Sequence, residues 1–121
     1  MKLNSNPYLA GLELVKINSG TSGQVALAKC ILSLYNPDHS FSIGEVLGSL
    51  DERYTAVVLN MVKAYATEGE TEELRKTGRF VYDNFPRLIE LSEAACEAKA
   101  SVRREWERQR EEESARLYPN E

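Results

Sequence analysis

One histidine and two cysteines are the only imidazole and thiol side chains among the 121 residues. A zinc site draws on three or four ligands, and His39, Cys30 and Cys96 lie in three separate segments. Neither cysteine belongs to a CxxC or His-paired pattern, so two free buried thiols are expected. Walker loops, GxGxxG, GxSxG and HExxH are all missing. Asp38-His39-Ser40 holds the letters of a triad, but adjacent residues cannot converge on one another, and triads are assembled from separated segments. A plain loop is the expectation there. Carboxylate runs such as Glu72-Glu73 and Glu111-Glu112-Glu113 read as solvated faces. No catalytic residue, metal ligand or cofactor is assigned, and the chain is expected not to be an enzyme.

Long apolar runs are missing too. None approaches the length of a bilayer span. The opening MKLNSNPYLAGLELV lacks the charged head, apolar run and small-residue cleavage site of a signal peptide. A cytoplasmic protein with no membrane contact is expected. Positive charge is also in deficit: 15 bases stand against 19 acids, a net charge of −4. Residues 1–66 carry five of each, so the whole deficit lies in residues 67–121. Nucleic-acid affinity rests on excess Lys and Arg, and a general nucleic-acid binder is disfavoured.

What the chain does hold is helix. Val25, Ala26, Leu27, Ala28, Cys30, Ile31, Leu32, Leu34 and Tyr35 crowd one segment. It is longer than a usual strand, and Ala, Leu, Lys and Gln outnumber its β-branched residues. Ser22 is placed as its N-cap and Pro37 as its stop. Ser22, Lys29, Ser33 and Asn36 form its one thin polar stripe. A helix with so little polar face is surrounded by other elements. The other segments are therefore read as packed around residues 23–36.

Asn6-Pro7 starts a first helix over about residues 7–17, with Ser19-Gly20 as its stop. Ser42 and Glu45 make a capping box, and Phe41 with Val46 a hydrophobic staple. Ile43, Val46, Leu47 and Leu50 are expected to face inward. Asp51 caps a fourth helix, on which Tyr54, Val57, Val58, Met61, Val62 and Tyr65 share one face. It ends near Gly69. For residues 70–85 two readings stand: a short helix capped by Thr71 and interrupted by Gly78, or a strand over RFVYD. A lone strand would leave its backbone unpaired.

From Pro86 to about Tyr118 the chain reads as one helix. Leu88, Ile89, Leu91, Ala95, Ala98 and Val102 form a core-facing stripe that fails after Val102. Beyond it, Arg103/Glu107, Arg108/Glu112 and Glu112/Arg116 are i, i+4 pairs, each worth a few tenths of a kcal/mol. The glutamates there cancel the field of the arginines within a turn. Trp106 with nearby arginines has the composition of a protein-binding hot spot. Arg103, Trp106, Glu107 and Arg110 are the candidate partner-binding residues.

Gly20-Thr21-Ser22-Gly23-Gln24, Leu34-Tyr35-Asn36, Phe41, Leu47 and Leu50-Asp51 resemble a family of small uncharacterised proteins of bacterial chromosomes, plasmids and phages. The likeness covers about residues 12–66. It carries no assigned activity, and it implies an accessory gene, often on a mobile element.

The expected fold is all-α, a single domain over residues 1–121. Five or six helices surround residues 23–36. A long helix spans about residues 86–118, and its charged end, 103–121, either projects or folds back. The expected function is binding of another protein. Its most concrete form is inhibition of a host defence system by a mobile-element protein, for instance an anti-CRISPR. A regulatory or structural homo-oligomer, such as a homodimer assembled through the last helix, is the alternative. A nucleic-acid binder using residues 103–110 is the third.

The capping box makes a local test. Ser42→Ala is expected to cost about 1 kcal/mol through loss of one cap acceptor. Glu45→Gln should cost less, because Gln still reaches back. A silent Ser42→Ala in urea denaturation would mean that the third helix begins elsewhere.

Overall fold

The computed structural model describes residues 2–119. Six helices and no strand occur among them: α1 (Pro7–Ile17), α2 (Ser22–Tyr35), α3 (Ile43–Leu47), α4 (Glu52–Glu68), α5 (Glu72–Asn84) and α6 (Pro86–Leu117). The all-α reading, the central helix and the long last helix are as the sequence implied. Residues 120 and 121 of the charged end lie outside the described residues.

No residue from Gly23 to Asn36 is exposed. Leu27, Ala28, Ile31 and Leu32 are wholly buried. α1, α3, α4 and α5 all pack on α2. The polar stripe is itself half-covered beyond Ser22. Ser33 Oγ donates to the Lys29 carbonyl at 2.8 Å and accepts from Phe41 N–H at 3.2 Å. One hydroxyl thus satisfies the loop that follows.

Local chemistry sets the helix starts. Asn6 Oδ1 accepts from Tyr8 and Leu9 N–H, and Asp51 Oδ1 accepts from Tyr54 N–H. The Ser42–Glu45 box is closed in both directions, at 3.0 and 2.9 Å. Those bonds, with Lys29 nearby, hold the Glu45 carboxyl below the usual range. The folded-state pKa is depressed, so this contribution is present above the unfolded value and lost as pH falls through the folded one. The cap of α2 is Thr21, not Ser22. Gly20, at φ +80°, sets Thr21 in an extended conformation whose Oγ1 accepts from Gln24 N–H at 3.1 Å. Gln24 reaches back to Gly20 N–H and to the Val15 carbonyl.

Residues 70–85 form neither an interrupted helix nor a strand. Thr71 caps a continuous α5 that runs through Gly78. Gly78 is an approach point: a Cβ there would lie 2.2 Å from Tyr35 Cγ. The missing side chain admits the Tyr35 ring of α2 against the α5 backbone.

Three inward assignments are corrected. On α3 only Val46 is buried; Ile43 is 77% and Leu47 36% exposed. A helix of five residues lays one side chain inward and leaves the rest on the rim. On α4, Val57, Val58 and Met61 are buried but Val62 is 45% exposed. On α6 the buried residues are Leu88, Ile89 and Ser92, while Leu91, Ala95, Ala98 and Val102 are exposed. The body ends at Ser92, ten residues earlier than the apolar stripe implied. Cys30 is buried as expected, but Cys96 lies on this uncovered stretch and is exposed.

Gly78→Ala is expected to destabilise the fold by about 1–3 kcal/mol, the usual range for an overpacked contact. The clash falls on the root of the Tyr35 ring, where rotamer change gives no relief. Chemical denaturation reads it; a loss below about 0.5 kcal/mol, the ordinary surface value, would mean that α5 shifts freely on α2.

Candidate functional site

Phe85 is the single residue that ends α5 and begins α6, with Pro86 at the first helical position. α6 is anchored only at its root, where Leu88, Ile89 and Ser92 are buried. From Glu93 to Leu117 it continues for about 36 Å at 1.5 Å per residue. Every residue in that stretch is exposed except the half-buried Ala100.

The charges on this overhang are sorted by face. Arg104 pairs with Glu97 at 2.8 Å, and Arg108 pairs with both Glu105 and Glu112. Arg108 holds the Glu105 carboxyl below the usual range by hydrogen bonding, and is itself pushed up by it. At 3.6 residues per turn, these five residues share one side of the helix. Arg103, Trp106, Glu107 and Arg110 lie on the opposite side. Among the described residues, Arg103, Glu107 and Arg110 enter no ion pair. Of the expected i, i+4 pairs, Arg108/Glu112 forms while Arg103/Glu107 and Glu112/Arg116 do not. All four sequence-chosen residues are brought to one side, and Trp106 is 58% exposed.

Lys99 was missed by the sequence reading. It stands 4, 7 and 11 residues before Arg103, Trp106 and Arg110, a spacing that signals a shared face. Its Nζ donates to Ser40 Oγ at 2.9 Å, linking the overhang to the loop before α3.

A second surface feature was also missed. Ile43, Leu47, Leu59 and Val62 rim an apolar groove of about 340 Å³ floored by Leu34 and Phe41. Ile43 and Leu47, two of the four residues expected to face inward, form part of its edge.

His39 is not a plain loop residue. It is 8% exposed, with Nδ1 2.7 Å from Ser92 Oγ and its ring centroid 5.7 Å from that of Tyr82. Ser92 Oγ also lies 3.0 Å from the Ile89 carbonyl, to which it can donate while accepting from Nδ1–H. A nucleophilic serine must reach its substrate; Ser92 is 1% exposed. The pair ties the loop after α2 to the root of α6. Burial pushes the Cys30 thiol up to about 12, which keeps it protonated and unreactive. Among the described residues no cluster of three or more His, Cys, Asp or Glu could hold a metal ion, and no helix is long and apolar enough to cross a membrane.

No family model, no curated protein and no solved structure matches the chain. The likeness drawn on residues 12–66 therefore rests on those residues alone.

His39→Ala is expected to lower stability by about 1–3 kcal/mol, since it removes the donor to a buried Ser92 Oγ. It should leave binding by α6 unchanged. A melting curve paired with a binding measurement checks both; lost activity with an unchanged melting curve would overturn the structural role.

Proposed function

We propose that this is a non-enzymatic protein-binding accessory protein that engages another protein through the overhang of α6. The observation that carries this reading is Trp106, 58% exposed and well beyond the body, flanked by unpaired Arg103, Glu107 and Arg110. Trp and Arg dominate binding hot spots, and an indole left in water gains from being covered. The finer version, a mobile-element inhibitor of a host defence system, draws only on the sequence likeness. A plaque assay on a defence-positive host, with and without the protein expressed, tests that version separately.

A homodimer through α6 is the second reading. It is favoured by Leu91 and Val102, 60% and 48% exposed, which lie with Ala95 and Ala98 along one side of the helix. Light scattering on pure protein separates the two.

Truncation after Ser101 is expected to leave a cooperative domain, because the core contacts of α6 end at Ser92. It should abolish capture of the partner from host extract. Trp106→Ala alone should weaken capture with little change in melting temperature. Unfolding of the truncated chain would show that the overhang supports the fold and would overturn this reading.

A further inference from the structure

The side of α6 that the body covers does not stop where the body stops. Counted from buried Ser92, Lys99, Arg103, Trp106 and Arg110 follow at 7, 11, 14 and 18 residues, the recurrence of one helix face. This face runs on past the last buried residue, and the Lys99–Ser40 bond ties its first part to the loop before α3. Between residues 99 and 110 it carries three bases, one large aromatic and, at its edge, Glu107. The other glutamate of that stretch, Glu105, is paired with Arg108 on the far side. The sequence-level cancellation of charge is thus partly undone by the helix geometry: Glu105 is held on the far side by Arg108, and three bases stand against Glu107 alone on this face.

The geometry points to an acidic protein surface as the occupant of this face, with Trp106 buried against its apolar part and Lys99, Arg103 and Arg110 meeting its carboxylates. This names the partner chemistry of the α6 site and rests on the protein-binding reading above. Charge complementarity selects the acid. The size of the face selects protein over nucleic acid: three bases on one short face are few against the six to ten phosphate contacts of a typical DNA binder. A phosphate backbone tracking along this face would also run from the bases onto Glu113, three residues beyond Arg110 and seven beyond Trp106.

The test uses the full chain and its single tryptophan as reporter. Three probes are titrated: a synthetic amphipathic helix with glutamates beside a leucine stripe, the same peptide with lysines for glutamates, and a short DNA duplex. The glutamate peptide should move Trp106 emission to shorter wavelength, with affinity falling about tenfold or more from low to high salt. The double variant Arg103→Glu/Arg110→Glu should lose the glutamate peptide, gain the lysine peptide and melt as the wild type does. No response to the glutamate peptide, a response untouched by the double variant, or tighter binding of the duplex would each overturn the proposal. Host-extract capture separates the two levels of the argument. A partner lost on Trp106→Ala but retained by Arg103→Glu/Arg110→Glu leaves the protein-binding reading intact and removes the acidic partner. Retention by both variants removes the two together.

Discussion

The enclosure of α2 is the constraint on which the rest of the molecule depends. A helix with no exposed residue over Gly23–Asn36 needs neighbours on every side, and the chain supplies four. Each pays in a different way. α1 and α4 present one apolar side; α3 adds one buried residue, Val46; α5 comes close enough only because Gly78 has no side chain. The arrangement also leaves a cost inside it. Tyr8 is buried on α1 with its hydroxyl unpartnered among the described residues, a loss of about 1–3 kcal/mol that the buried ring must outweigh.

The parts of this fold that were legible in the sequence are those decided within a few residues. Asn6, Ser42, Asp51 and Thr71 cap the helices they were expected to cap, because a cap is a side chain meeting backbone three positions away. The one-residue displacement at α2 has the same local origin: Thr21-Ser22-Gly23-Gln24 is a Thr-x-x-Gln capping pattern, and Ser22 was the wrong hydroxyl to choose. What was not legible depends on where the other elements stop. Apolar identity placed Leu91 and Val102 in the core, but the body ends at Ser92. Gly78 reads as a breaker in isolation; only the Tyr35 ring beside it explains why the helix continues. His39 looked idle because its partner, Ser92, is 53 residues away.

The candidate site divides along the same line. The composition of residues 103–110 marked Trp106 and its arginines, yet the charge pattern in one dimension read as self-cancelling. Wrapping the segment into a helix separates Glu97, Arg104, Glu105, Arg108 and Glu112 from Arg103, Glu107 and Arg110. Screening confines such fields to about 8–10 Å, roughly the width of the helix itself. The net charge of −4 therefore says little about either face.

The ion-paired side and the free side answer to one requirement. Most helical stability in a protein comes from packing on other elements, and after Ser92 the overhang buries no residue against the body. The outward pairs, with Arg108 between two glutamates, supply support that packing cannot. Because that support is concentrated on the outward side, the inward side is left free of it. Lys99 holds the overhang to the loop at Ser40, and beyond it Arg103, Trp106 and Arg110 stand on a helix made firm from behind. A long charged helix that served only as a solvated tail would gain most by pairing its charges all round. This one pairs Arg104 and Arg108 on one side and leaves Arg103, Glu107 and Arg110 open on the other, where a second surface would lie.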